Sequence, residues 1–77
     1  MQGLQIHGWD PQGAELSLDA DAEHELPWAF VKPRADGDWR WEAGVEDEWR
    51  TPLGQAAGKA NTQAEAKTAA ENWLRDQ

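Results

Sequence analysis

The sequence predicts an α+β fold, an antiparallel meander sheet of four to five strands with one C-terminal helix packed across one face. Three observations predict it. Runs in the first two thirds of the 77 residues alternate between apolar and polar, turn-forming residues separate these runs, and only the last segment has a helical period. A chain of this length forms a single domain, residues 1–77. It holds six tryptophans, and each can bury about 150–250 Å², so few side chains can supply most of a thin core.

The first predicted strands are short. Residues 15–19 alternate cleanly, and residues 4–7 do so more weakly. Between them lies the sequence Asp-Pro-Gln-Gly at positions 10–13, which is typical of a turn. These two runs are therefore expected to pair.

The most regular strand contains Trp39, Trp41, Ala43 and Val45, which alternate with polar or small residues. An aromatic and β-branched run precedes it at 28–32, and an Asp-Gly pair at 36–37 favours a hairpin turn between the two runs. Residues 49–53 are expected to add an edge strand, because Pro52 is tolerated at an edge. The small residues at 54–60 are interpreted as a flexible connector.

The final segment predicts a helix over about residues 62–75. Thr62 and Glu65 have the spacing of a capping box, and good helix formers follow. An apolar stripe at helical spacing is expected to cover the sheet; its members are Ala66, Ala69, Ala70, Trp73 and Leu74.

Charge is strongly asymmetric along the chain. The net charge is -8, and no Lys or Arg precedes Lys32. Direct binding of nucleic acid is disfavoured, because affinity for phosphates is built from basic side chains. Two interpretations of the acidic surface stay open: it serves only solubility, or it attracts a basic surface of a protein partner.

Catalytic chemistry is poorly supported by this sequence, and the prediction is a protein that is not an enzyme. Ser17 is the only serine and falls between two leucines of a strand, where it is expected to face solvent. His7 and His24 are too far apart to predict a zinc site. We predict no catalytic residue, no metal site and no cofactor. No apolar run spans a bilayer and no signal-peptide pattern is visible, so a soluble cytoplasmic protein without membrane contact is expected.

Tryptophans outside the predicted core are candidates for an interface. Trp39 and Trp41 share a face that the helix should cover. Trp9, Trp28 and Trp49 are not assigned to that face. Trp9 adjoins a turn and Trp49 follows an acidic run, as interface residues often do. Alternatively, each of the three covers an end of the thin sheet. The predicted partner-binding residues are Trp9, Trp49 and two acidic clusters: Asp19, Asp21, Glu23 and Glu25, and Glu42, Glu46, Asp47 and Glu48.

Two motifs stand in the second half of the chain: Asp-Gly-Asp-Trp-Arg-Trp at 36–41, and the segment from Gly58 to Leu74, which follows the pattern G-x-A-x-T-x-x-E-A-K-x-A-A-E. With these motifs, this half of the chain resembles small uncharacterised proteins of phages and prophages. The resemblance implies a phage or mobile-element context and thus a location in the host cell. It transfers no catalytic residue.

The leading hypothesis is a small acidic binding protein that docks on a basic surface of a larger host complex. Carboxylates along both acidic clusters would then occupy a phosphate-binding groove, as a nucleic-acid mimic or anti-CRISPR-like inhibitor does. Two alternatives stay open. One is a module that binds a carbohydrate or small ligand through exposed tryptophan faces, and the other is an accessory protein whose acidity serves only solubility.

Overall fold

A computed structural model of the protein describes residues 3–21 and 24–77. It has five antiparallel strands and one C-terminal helix, which confirms the α+β prediction. The elements are β1 (Gln5–Trp9), β2 (Leu16–Asp19), β3 (Leu26–Pro33), β4 (Trp39–Glu46), β5 (Pro52–Ala60) and α1 (Gln63–Arg75).

The strands divide into a two-stranded sheet, β1-β2, and a three-stranded sheet, β3-β4-β5. Turn chemistry sets both hairpins. Gly13 and Gly37 take positive φ angles of 71° and 90° in the two predicted turns, a region that glycine enters without steric cost. The sheets meet where the Val31 backbone N–H donates to the Ala14 carbonyl at 2.8 Å.

Strand β5 corrects the sequence interpretation of residues 49–60. The turn covers residues 47–51, and the supposed connector is the edge strand, paired with β4 from Pro52 to Ala60. Its small residues have a packing role. A Cβ atom on Gly58 would lie 2.7 Å from the Trp41 indole nitrogen, so the ring occupies the space that a side chain would fill.

The helix begins as predicted. Thr62 is the N-cap residue, and its hydroxyl oxygen accepts a hydrogen bond from the Glu65 backbone N–H at 3.1 Å. Ala66, Ala70 and Leu74 are buried against the sheet, which confirms the apolar stripe.

The core is aliphatic. Its buried side chains, on both strands and helix, are Leu16, Ala29, Val31, Ala43, Val45, Ala66, Ala70 and Leu74. Trp9, Trp41 and Trp73 are half-buried and pack around this cluster. These three tryptophans therefore border the core and shield it, while small residues at its centre let the helix approach the sheet closely.

Candidate functional site

Strand register brings parts of the two acidic clusters to one end of the molecule. Leu26, the first residue of β3, is paired with Glu46, the last residue of β4. The segment before β3 and the turn after β4 therefore leave the sheet side by side. A contact between them confirms this, since His24 Nδ1 lies 2.5 Å from Glu48 Oε2.

Acidic residues after β2 reach the same end. Asp19 closes β2, and its Oδ2 lies 2.8 Å from His7 Nε2. One surface groove is lined by Leu18, Asp19, Ala20, Asp21, Glu25, Leu26 and Pro27. We use the name acidic end for the six carboxylates gathered here: Asp19, Asp21, Glu25, Glu46, Asp47 and Glu48.

Within the acidic end, Asp47 shapes the backbone. Its Oδ1 accepts hydrogen bonds from the backbone N–H groups of Trp49, at 2.9 Å, and Thr51, at 2.8 Å. Arg50 completes this turn with a φ of 66°, in the left-handed region that non-glycine residues seldom enter. The turn presents Trp49 to solvent, and 76% of that residue is exposed. Asp47 thus positions the exposed tryptophan.

Exposed apolar side chains accompany Trp49. Leu26 is 46% exposed and Leu53 is 56% exposed, and Leu53 shares a groove with Glu25. The sequence reasoning missed both leucines. A signal was present for Leu26, because it falls in phase with Trp28 and out of phase with the apolar residues that face the helix. The exposure of Leu53 was not predicted, because the edge strand was expected at residues 49–53 and β5 begins only at Pro52.

Two predicted partner-binding residues, Glu42 and Trp9, are not part of this site. Glu42 lies in the middle of β4, roughly 13 Å along the strand from Glu46, and pairs with Arg40 at 3.3 Å. Trp9 lies at the far end of β1, half-buried, where its indole N–H donates to Glu71 Oε2 at 3.1 Å. That position fits the alternative in which Trp9 covers an end of the sheet. Glu23 lies outside the described residues.

The acidic end can attract and hold a cationic surface. It combines carboxylates with an exposed indole, the combination expected of a charged protein interface around an apolar contact.

Among residues 3–21 and 24–77, no group of three or more His, Cys, Asp or Glu side chains is arranged to hold a metal ion. The described part of the chain also contains no helix long and apolar enough to cross a membrane.

Comparison with known proteins identifies no relative: no family model, no curated protein and no solved structure matches this chain.

Proposed function

We propose that this chain is a small, non-enzymatic binding protein of phage or mobile-element type that docks its acidic end on a basic surface of a larger host complex in the host cytoplasm. One observation carries the proposal. The acidic end gathers carboxylates from three separate chain segments, and the turn of one of these segments carries the exposed Trp49. Mimicry of nucleic acid, with anti-CRISPR-like inhibition as the specific form, follows if those carboxylates occupy a phosphate site.

Carboxylates and apolar groups have separate roles in this proposal. The charges speed association with a cationic partner, and this effect weakens as salt screens them. Trp49 and Leu53 supply apolar area that is buried in the complex, so they control dissociation. The chain itself is not expected to retain duplex DNA at physiological salt, because its net charge opposes the phosphates.

Capture of partners from host lysate tests the proposal when charge-matched variants are compared. One variant carries Glu25→Gln, Glu46→Gln and Glu48→Gln at the acidic end. Its control carries Glu15→Gln, Asp36→Asn and Glu65→Gln, three exposed carboxylates away from that end. We expect roughly tenfold slower capture by the first variant at low salt and near-normal capture by the second.

Competition separates mimicry from ordinary docking. If the acidic end occupies a phosphate site of the partner, excess duplex DNA should release the captured partner from the protein. Trp49→Ala should speed dissociation of the partner. Equal capture by both charge variants, or none by the wild-type chain, would overturn the proposal and leave the acidity as a solubility device. A ligand-binding module is the second candidate. The half-buried Trp28 and Phe30, which lie on the face of the β3-β4-β5 sheet opposite α1, favour it.

A further inference from the structure

Strand β5 forms an open edge of the β3-β4-β5 sheet. Its register with β4 is regular over residues 54–60, and the irregularity in this pairing lies before them, between Val45 and Glu46 of β4. Among the elements that the structure describes, β5 contacts only β4 and α1. The backbone edge of residues 54–60 that points away from β4 therefore has no neighbouring strand.

The opposite edge of this sheet, formed by β3, is protected. The Val31 backbone N–H donates to the Ala14 carbonyl, and Pro27 and Pro33 of the same strand have no N–H to offer. Natural sheets use such devices to prevent pairing with another chain. Residues 54–60 of β5 contain no proline and only one charged side chain, Lys59. A further strand can therefore be added at β5.

The alternation of the hydrogen-bond ladder decides which groups of β5 point outward. Arg34 and Asp38 form a hydrogen-bonded pair next to β3 and β4, since the Arg34 N–H donates to the Asp38 carbonyl at 2.9 Å. Hydrogen-bonded and non-hydrogen-bonded pairs alternate along an antiparallel ladder, so the odd-numbered residues of β4 direct their backbone groups toward β5. Their partners on residues 54–60 are even-numbered, which leaves the N–H and C=O groups of Gln55, Ala57 and Lys59 directed outward.

This row of outward groups is complementary to itself. When two copies pair antiparallel about Ala57, Gln55 of each copy lies opposite Lys59 of the other, and every outward N–H and C=O group of residues 54–60 finds a partner. The two lysines do not face each other in this register. A second copy of the chain therefore fits this edge without unpaired groups or opposed like charges.

Charge also favours the antiparallel orientation. Glu46 pairs with Pro52, so β5 starts at the acidic end. In the register centred on Ala57, the two copies of Pro52 are separated by roughly 30 Å along the strands. This distance exceeds the Debye length of about 8 Å at physiological ionic strength, so the two acidic ends repel each other little.

An aromatic ring beside this edge gains cover in such a pair. The Trp41 ring lies over Gly58, on the last strand of the sheet, and Trp41 is half-buried. A two-fold axis perpendicular to the sheet at Ala57 places both helices on the same face. Gly58 and its copy are then diagonal neighbours about 7–8 Å apart, which brings the two Trp41 rings together beside the axis.

We infer that two copies of this chain associate through β5, whose residues 54–60 pair antiparallel about Ala57 and join two three-stranded sheets into one sheet of six strands. The contact consists of two short strand edges and two rings, which is smaller than the roughly 1,200 Å² of a stable interface. The dimer is therefore transient. It needs no host partner, so it does not depend on the proposed docking function.

Sedimentation equilibrium of the wild-type chain, between about 10 μM and about 1 mM, tests the association. The average mass should rise from 8.6 kDa toward twice that value, and more steeply at higher salt. Ala57→Pro removes an outward N–H and leaves the ladder with β4 intact, so it should stay monomeric with an unchanged circular dichroism spectrum. Ala35→Pro is the matched control, because Ala35 follows Arg34 in a turn closed by the Gly37 N–H, where proline is favoured. It should associate as wild type does.

Cysteine variants test the register, because the chain has no cysteine of its own. In the proposed pair, the two copies of Ala57 have Cα atoms about 5.5 Å apart, within the range of a disulfide. The two copies of Gln55, and likewise those of Lys59, are roughly 14 Å apart. All three residues are exposed, so access to an oxidant does not distinguish them.

Oxidation should therefore link Ala57→Cys chains into dimers and leave Gln55→Cys or Lys59→Cys chains monomeric when each is oxidised alone. An equimolar mixture of Gln55→Cys and Lys59→Cys chains should form the mixed disulfide, because these positions lie opposite each other. A wild-type mass that stays at 8.6 kDa at the highest concentration, or equal cross-linking of all three variants, would overturn the inference. Association of Ala57→Pro equal to that of wild type would do the same.

Discussion

At the scale of single residues, Trp41 and Trp49 show how the same side chain serves opposite purposes. Trp41 packs against the aliphatic core and over Gly58, whereas Trp49 is 76% exposed. We expect Trp41→Ala to lower the free energy of unfolding by about 3–5 kcal/mol, enough to unfold most molecules of so small a domain. Chemical denaturation followed by circular dichroism measures this loss.

Trp49→Ala is the matched control for that substitution. Because its ring contributes little buried area, the free energy of unfolding should change by less than about 0.5 kcal/mol. A large loss of stability in Trp49→Ala, or none in Trp41→Ala, would contradict the assigned roles. The sequence distinguishes the two residues by their surroundings, because Trp41 belongs to an alternating strand pattern whereas Trp49 follows an acidic run outside it.

At the scale of elements, β5 shows where local sequence is insufficient. Glycine and alanine have low strand propensity, and residues 54–60 therefore predict a connector. Pairing with β4 overrides that preference, because the backbone gains a full ladder of partners and the Trp41 ring needs the space above Gly58. This requirement comes from a residue that lies 17 positions away, so no short window of sequence reveals it.

Two glycines of β5 test this explanation. Gly58→Ala should destabilise the protein by about 1–3 kcal/mol, since the new methyl group would displace the Trp41 ring. Gly54→Ala should be neutral or slightly stabilising, because its nearest neighbour, the Trp73 ring, would lie at an ordinary contact distance of 3.8 Å. Thermal unfolding of both variants provides the comparison; equal melting temperatures would show that ring contact does not select glycine here.

The helix, in contrast, was predictable in detail, because its cap and its stripe are local. Thr62→Ala should cost about 1 kcal/mol through loss of the hydrogen bond to the Glu65 N–H. Thr68→Ala removes the same groups from an exposed position inside the helix and should be neutral or stabilising. Urea denaturation distinguishes the two, and an unchanged midpoint for Thr62→Ala would mean that the cap contributes nothing to stability.

At the scale of the whole molecule, strand pairing places acidic side chains at one end of the β3-β4-β5 sheet and basic side chains toward the other. The order of these residues in the sequence does not show this separation. In the sequence, even the nearest members of the two acidic clusters, Glu25 and Glu42, are 17 positions apart. Only the pairing of Leu26 with Glu46 brings part of the two clusters together. The same register aligns Lys32, Arg40 and Lys59 toward the other end of the sheet. Predicting either grouping requires the strand register. Because residues 54–60 were interpreted as a connector, the pairing of Lys59 with Arg40 could not be predicted.

Crowding of carboxylates at the acidic end has a thermodynamic consequence that can be measured without any partner. Like charges held close together repel one another in the folded state more than in the extended unfolded chain, and salt screens this repulsion. The melting temperature should therefore rise between about 0.02 M and about 0.5 M NaCl. The variant with Glu25→Gln, Glu46→Gln and Glu48→Gln should melt higher than wild type at low salt, and this gain should shrink at high salt.

The control with Glu15→Gln, Asp36→Asn and Glu65→Gln separates local crowding from total charge. Both variants have the same net charge, but Asp36 lies 3.6 Å from Arg34, so its neutralisation removes an attraction. The control should therefore gain less stability at low salt than the acidic-end variant. Equal gains would mean that only net charge matters. A larger gain at the acidic end would mean that this surface is kept at a cost to folding, as expected of a surface retained for binding.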